Sequence, residues 1–186
     1  MVLSWVFLSG GVSRFGDRAR PVDVPAMWWS RTTVTWGQAD IVCEPRIESD
    51  LPVTGLDHEE AARLALTLGG RLPRSVEWEW MASGPERRLF PWGNEPWKPC
   101  RANLRDSGYL RPLPVGSLPR GATPDGLFDV AGNVWEWTSS TALGNGAVVR
   151  GGSYNSLPLY ARCLFLNAAP RSLRSPGIGV RVVREA

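Results

Sequence analysis

The stretch Gly132-Asn133-Val134-Trp135-Glu136-Trp137 decides the fold of this chain. It joins a tight glycine–asparagine turn, able to aim several backbone carbonyls at one point, to a run in which tryptophans flank a carboxylate. Downstream comes Arg150-Gly151-Gly152-Ser153-Tyr154. Upstream lie Gly70-Arg71-Leu72-Pro73, Glu77-Trp78-Glu79-Trp80 and Pro91-Trp92-Gly93-Asn94-Glu95. Trp78, Trp80, Trp92, Trp135 and Trp137 all fall inside these strings, out of ten tryptophans in the chain. Such large, flat side chains serve as packing units whose indole N–H groups tie down irregular loops. A sugar- or base-stacking platform is the competing reading.

Length and composition bound the answer. A chain of 186 residues is enough for one domain with a real core and short for two. The net charge is +3, and Lys98 is the sole lysine, so arginine supplies nearly all the basic count. The arginines are interleaved with carboxylates, with no basic stripe or recognised module, so nucleic acid is not the expected partner. Cys43, Cys100 and Cys163 are widely spaced and His58 is the sole histidine, which excludes a zinc spacing and makes free thiols the expectation. No stretch approaches eighteen apolar residues, so membrane insertion is not expected. Val2–Leu8 is apolar without a basic leader or cleavage site, which makes the cytoplasm the default location.

The spacing predicts two helices. Asp57 and Glu60 form a capping-box pattern ahead of an apolar stripe at Ala61, Leu64, Ala65 and Leu68, and Gly69-Gly70 supplies a stop. His58 is placed in the first turn, facing solvent. A second helix is expected from Ser75 to about Ala82, capped by Ser75, because Arg74 cannot accept a helix N–H bond. Residues 21–36 read as strand and turn, and 41–54 as loop. Val148–Arg150, Tyr160–Leu166 and Ile178–Val183 read as strands. Between Ser83 and Ala131 no period exists, so that stretch needs staples other than ladders.

Taken in order, the five strings resemble the formylglycine-generating-enzyme family, a branch of the C-type lectin fold. The resemblance implies an α+β protein with two helices, short strands and much irregular loop. It also implies calcium, with Glu136 as the charged ligand, carbonyls around Gly132 and Val134, and a second site near Asn103 and Leu104. Against this stands the reading that Glu136 pairs with an arginine and Asn133 bonds its own turn. Oxidising relatives bind copper through two cysteines shortly after the RGGS string, whereas here Tyr154–Ala161 contains none, and Cys163 alone is one soft ligand without a partner. Sulfoxide synthases of the same family use three histidines from an additional domain. No redox metal is therefore expected, and the chain is read as a non-enzyme.

That leaves a binding module resembling the variable proteins of diversity-generating retroelements, whose rewritten segment runs from about RGGS to a G-[FIV]-R-[VL] strand, here Gly179–Val182. The expected partner is a macromolecule, a protein above all. The expected face spans residues 154–175: Tyr154 and Tyr160 as rigid amphipathic contacts, Leu157, Leu159, Ala161 and Phe165 as an apolar centre beside Cys163, and Asn155, Ser156, Asn167 and Arg171 as a polar rim. An oxidase with an unrecognised site and an accessory subunit of a partner enzyme are the alternatives.

Overall fold

Four short strands begin the computed structural model, which describes residues 2–39 and 49–186: β1 (Trp5–Leu8), β2 (Gly11–Phe15), β3 (Arg20–Val24) and β4 (Met27–Ser30). Helices follow at α1 (Trp36–Ala39), α2 (His58–Thr67) and α3 (Ser75–Ser83). The remaining strands are β5 (Trp135–Thr141), β6 (Ala147–Arg150), β7 (Leu166–Ala169), β8 (Ile178–Gly179) and β9 (Val183–Glu185). Cys43 and most of the expected 41–54 loop lie outside the described residues. β2 and β3 form a hairpin, and β1, β4 and β9 form a sheet in that order. The central sheet runs β7-β6-β5-β8, antiparallel except for the β5–β8 pair.

The 132–137 stretch explains why this sheet has two different faces. Gly132 and Asn133 both adopt left-handed backbone, at φ 77° and 63°, which turns the chain sharply into β5. A Cβ on Gly132 would lie 2.4 Å from the Asn103 carbonyl, so only glycine fits the turn. Strand alternation then sends Trp137 to one face and Glu136 to the other. Trp137 packs with Val149, Ile178 and the buried α2 residues Ala61, Leu64 and Ala65. On the other side Trp78 of α3 packs with Trp29, Met81, Leu127 and Val130. The sheet is thereby held between α2 and α3.

The α2 capping box is present: the Glu60 amide donates to Asp57 at 3.0 Å, and the Asp57 amide donates to Glu60 at 3.1 Å. His58 departs from expectation, being buried at 8% exposure. α3 also differs at its start. Arg74, not Ser75, holds the cap position, and its amide donates to Glu77 at 2.7 Å, while the Ser75 amide donates to the Ser140 hydroxyl. A carboxylate and a distant hydroxyl thus satisfy the orphan donors that arginine cannot.

Residues 160–166 are not a strand. Pro158 starts a 3-10 turn over Pro158–Ala161, a second turn closes from Phe165 to Arg162, and pairing resumes only at β7. The proline ring fixes φ and removes a ladder donor, which favours the turn over extension. The strand expected over 178–183 is broken into β8 and β9; between them the Val180 carbonyl accepts from the Val34 amide, and Val182 bonds Ser30 through both its carbonyl and its amide.

Candidate functional site

A cleft of about 370 Å³ opens over the face of Trp135. Its floor is Trp135, Val149 and Ile178; Ser153, Tyr154 and Asn155 form one rim, and Asn167–Pro170 the other. A strap over Pro170–Gly177 makes the remaining wall through Leu173, Ser175 and Pro176. The RGGS string builds the first rim. Gly151, at φ 92°, accepts from the Gly132 amide through its carbonyl, and a Cβ there would meet the Val130 carbonyl at 2.7 Å. Beyond it the Ser153 amide donates to Ser156 Oγ at 3.0 Å, and the Tyr154 amide donates to the Asn133 carbonyl at 3.0 Å. No ionisable side chain except tyrosine lines the cleft, so it offers hydroxyl and amide groups over an indole.

The expected face divides. Tyr154, Asn155 and Asn167 meet at the cleft, together with Trp135, which is half-buried and not the core residue its motif suggested. Tyr160 and Phe165 stack edge to face at 4.8 Å, and each lies 6.4 Å from Trp135. Leu157 and Leu159 are exposed at 40% and 49%, and Leu166 joins them at 46%. Ser156, Ala161 and Cys163 are buried and take no part in the surface. For Ala161 and Cys163 the 3-10 turn replaces strand alternation, and Ser156 is held inward by its turn with Ser153. Arg171 lies outside the cleft, donating to His58 Nδ1 at 2.9 Å and to Thr141 Oγ1 at 3.0 Å. The expected span of 154–175 takes in most of the strap, but Leu173, Ser175 and Pro176 were not singled out and Ser153 lay outside it; their composition is ordinary loop, and only folding brings them to Trp135.

Alanine at Leu157 or Leu159 is expected to change stability by no more than about 0.5 kcal/mol, as surface changes do. Trp137→Ala, at a fully buried site, is expected to cost about 3–5 kcal/mol. Urea melts check both. Losses above about 2 kcal/mol at either leucine would return that segment to the core.

The calcium expectation meets a different occupant. Arg181 donates to both Glu136 oxygens at 2.8–3.0 Å, and Trp78 Nε1 donates to Glu136 Oε2 at 2.6 Å. The carboxylate is fully buried, already neutralised, and shielded from a cation by a guanidinium. Around Gly132 and Val134, Asn133 Oδ1 accepts from Leu113 and Asn103, and its Nδ2 donates to the Leu113 carbonyl. Asn103 is closed by Arg111 and Ser107, and the Leu104 carbonyl accepts from the Ser107 amide. An asparagine network staples the loop where cation ligation was expected, and the arginine-pair reading of Glu136 is the one the geometry supports.

No cluster of three His, Cys, Asp or Glu side chains suited to a metal exists among the described residues. Cys163 is unsuited to ligation, because burial pushes its thiol up to about 12. Cys100 is exposed. Asp129 is half-buried, with Oδ2 accepting from the Gly116 amide at 2.6 Å, and burial raises it to about 6. No described helix is long and apolar enough to cross a membrane.

Residues 9–186 match the sulfatase-modifying factor enzyme 1-like domain, and the chain belongs to that family. It is 34% identical over 183 residues to hercynine oxygenase of Mycobacterium tuberculosis, covering 85% of this chain and 42% of that protein. The chain therefore spans less than half the length of this curated relative. Among solved structures, PvdO from Pseudomonas aeruginosa superposes with a TM-score of 0.80 at 23% identity, over 98% of this chain and 94% of that one. Treponema denticola variable protein 1 gives 0.80 at 18%, over 99% and 95%. These likenesses carry the fold, and one of the neighbours is itself named a variable protein.

The reading as a non-enzyme is overturned. Three hercynine oxygenases match at 34%, 42% and 35% identity, and an oxygenase is an enzyme. The missing cysteine pair and the single histidine do not exclude an enzyme, since a relative more than twice as long can draw reactive groups from residues beyond this region.

Proposed function

We propose that this chain is the family domain of an oxygenase or related oxidase, and that the cleft over Trp135 holds part of its organic substrate. The observation that carries the reading is the 34% identity to a hercynine oxygenase across 85% of the chain. The cleft supports it with an indole floor and convergent neutral polar groups from Tyr154, Asn155, Asn167 and Ser175. The donor set does not fit a redox metal: the cleft has no histidine, cysteine or carboxylate, and Cys163 is buried and protonated. The chemistry assigned to these residues is confined to binding, orienting and sheltering an organic group. Reactive ligands would have to come from beyond the described residues.

Hercynine itself is the probe. In titrations followed by backbone NMR, shifts are expected at Trp135, Tyr154, Asn155 and Asn167. Asn155→Ala and Asn167→Ala should each weaken binding about fivefold, the worth of one hydrogen bond of about 1 kcal/mol. Saturating hercynine with no shift at these residues would sink the reading for this substrate. The exposed leucines 157, 159 and 166 favour a second use of the neighbouring surface, as a protein contact. In that case Leu159→Asp and Leu166→Asp would abolish a partner contact while leaving hercynine binding intact.

A further inference from the structure

The strap over Pro170–Gly177 is held by a latch at the start of α2, and the latch has two ends. At one end Arg174 donates to Asp57 Oδ2 at 2.9 Å and to Glu60 Oε1 at 2.6 Å, the same carboxylates that cap the helix. At the other, Arg171 donates to His58 Nδ1 at 2.9 Å and to Thr141 Oγ1 at 3.0 Å. A main-chain bond accompanies each end: the His58 amide to the Arg171 carbonyl at 2.9 Å, and, one residue past Arg174, the Gly55 amide to the Ser175 carbonyl at 3.0 Å.

His58 can serve Arg171 in only one protonation state. Its Nε2 lies 2.9 Å from the Thr138 carbonyl, which accepts and cannot donate, so the proton sits on Nε2. Nδ1 then carries the lone pair that receives the guanidinium. A second proton would face Arg171 across 2.9 Å, with the ring buried against the edge of Trp137 at 5.5 Å. The charged groups facing the ring are Arg171 from the strap and Asp57 from its own helix, while β5 presents Thr138 and Trp137.

We infer that His58, Arg171 and Arg174 are positioning residues for the cleft: they hold the strap as its wall, and protonation of His58 releases the Arg171 end. A strap freed at one end loosens the Leu173–Ser175 wall while Arg174 keeps it tethered. The role as a cleft wall rests on the substrate site proposed above; the latch is a property of the chain alone and can be tested without ligand.

Burial is the main cause lowering the His58 pKa below 6.5. The Thr138 bond opposes this, Arg171 adds to it, and Asp57 opposes it. The contribution to stability is therefore fully present above about 6.5 and lost as pH falls through the folded value. Asp129, raised to about 6, works in the opposite sense: its contribution is present below 3.8 and lost as pH rises through 6. Global melts thus mix the two, and a local readout is needed.

His58 is the only histidine in the sequence, so its ring signals need no assignment. Imidazole ¹⁵N NMR is expected to show the Nε2–H form and a midpoint below 6.5. Hydrogen exchange, corrected for intrinsic rates, should show protection of the Gly55 and His58 amides falling severalfold through that midpoint. The Val53 amide, bonded to Val34, should stay protected. His58→Gln keeps an acceptor and a donor without titrating, and should flatten the Gly55 pH profile. Arg171→Ala, which leaves the buried ring in place, should raise the His58 midpoint and lower protection at both sites at every pH. An Nδ1–H form, a midpoint at or above 6.5, or Gly55 protection that ignores the titration would overturn the latch. An unchanged pH profile in His58→Gln would do the same. If the latch behaves as expected but hercynine does not bind, the latch stands and only the substrate site falls.

Discussion

Replacing Arg181 with methionine should cost about 3–5 kcal/mol, because it strands a buried carboxylate. Arg181 and Glu136 are both fully buried, and the guanidinium uses its remaining N–H groups on the carbonyls of Ser30, Arg31 and Phe128. One side chain thereby joins β4, the loop before Gly132, and β5. Without it, the Trp78 indole is the one side-chain donor left to Glu136 among the described residues. Arg181→Met with Glu136→Leu should recover part of the loss, since two apolar groups leave no orphan charge, and a double-mutant cycle measures the coupling. A single-variant loss below about 1 kcal/mol would show the pair to be dispensable. The same melts address calcium. The parent is expected to unfold identically with calcium or chelator; a chelator-sensitive parent beside an insensitive Glu136→Gln would restore that carboxylate as a calcium ligand.

Arg150→Met should be comparably damaging, about 3–5 kcal/mol, with a more local consequence. Arg150 donates to Ser75 Oγ at 2.9 Å, to Glu79 Oε2 at 3.0 Å, and to the carbonyls of Cys163 and Phe165 at 3.2 and 3.1 Å. Burial lowers Arg150 and raises Glu79, so for both partners desolvation outweighs their attraction. The pair's value lies in geometry: it fastens the turn bearing Phe165 to α3. Losing it should lower the melt and expose Cys163, which is fully buried in the parent. Peptide mapping after alkylation should show Cys163 modified in the variant and protected in the parent, with Cys100 modified in both. Protection of Cys163 in a folded, destabilised variant would show that the turn holds without Arg150.

Local rules made much of this legible before folding was considered. The α2 capping box and apolar stripe depend on residues within one helical segment, and both are present. The 132–137 string needs a left-handed turn followed by alternation, and the structure has both. The same strings indicated the family, since their order along the chain carries more information than any one of them.

Surface membership was decided elsewhere. Whether Ala161 and Cys163 face out depends on a turn begun by Pro158, which cancels the period of two, and Ser156 is turned inward by its bonds to Ser153. Whether Glu136 holds calcium or an arginine depends on Arg181, forty-five residues away in sequence. The burial of His58 depends on a strap from the far end of the chain. Sequence by itself determined the family and the local elements, because capping, turn chemistry and periodicity act over a few residues. Tertiary structure alone decided which polar groups are already satisfied and which side chains line the cleft, because a charge or a ring acquires its role from whichever distant segment packs against it.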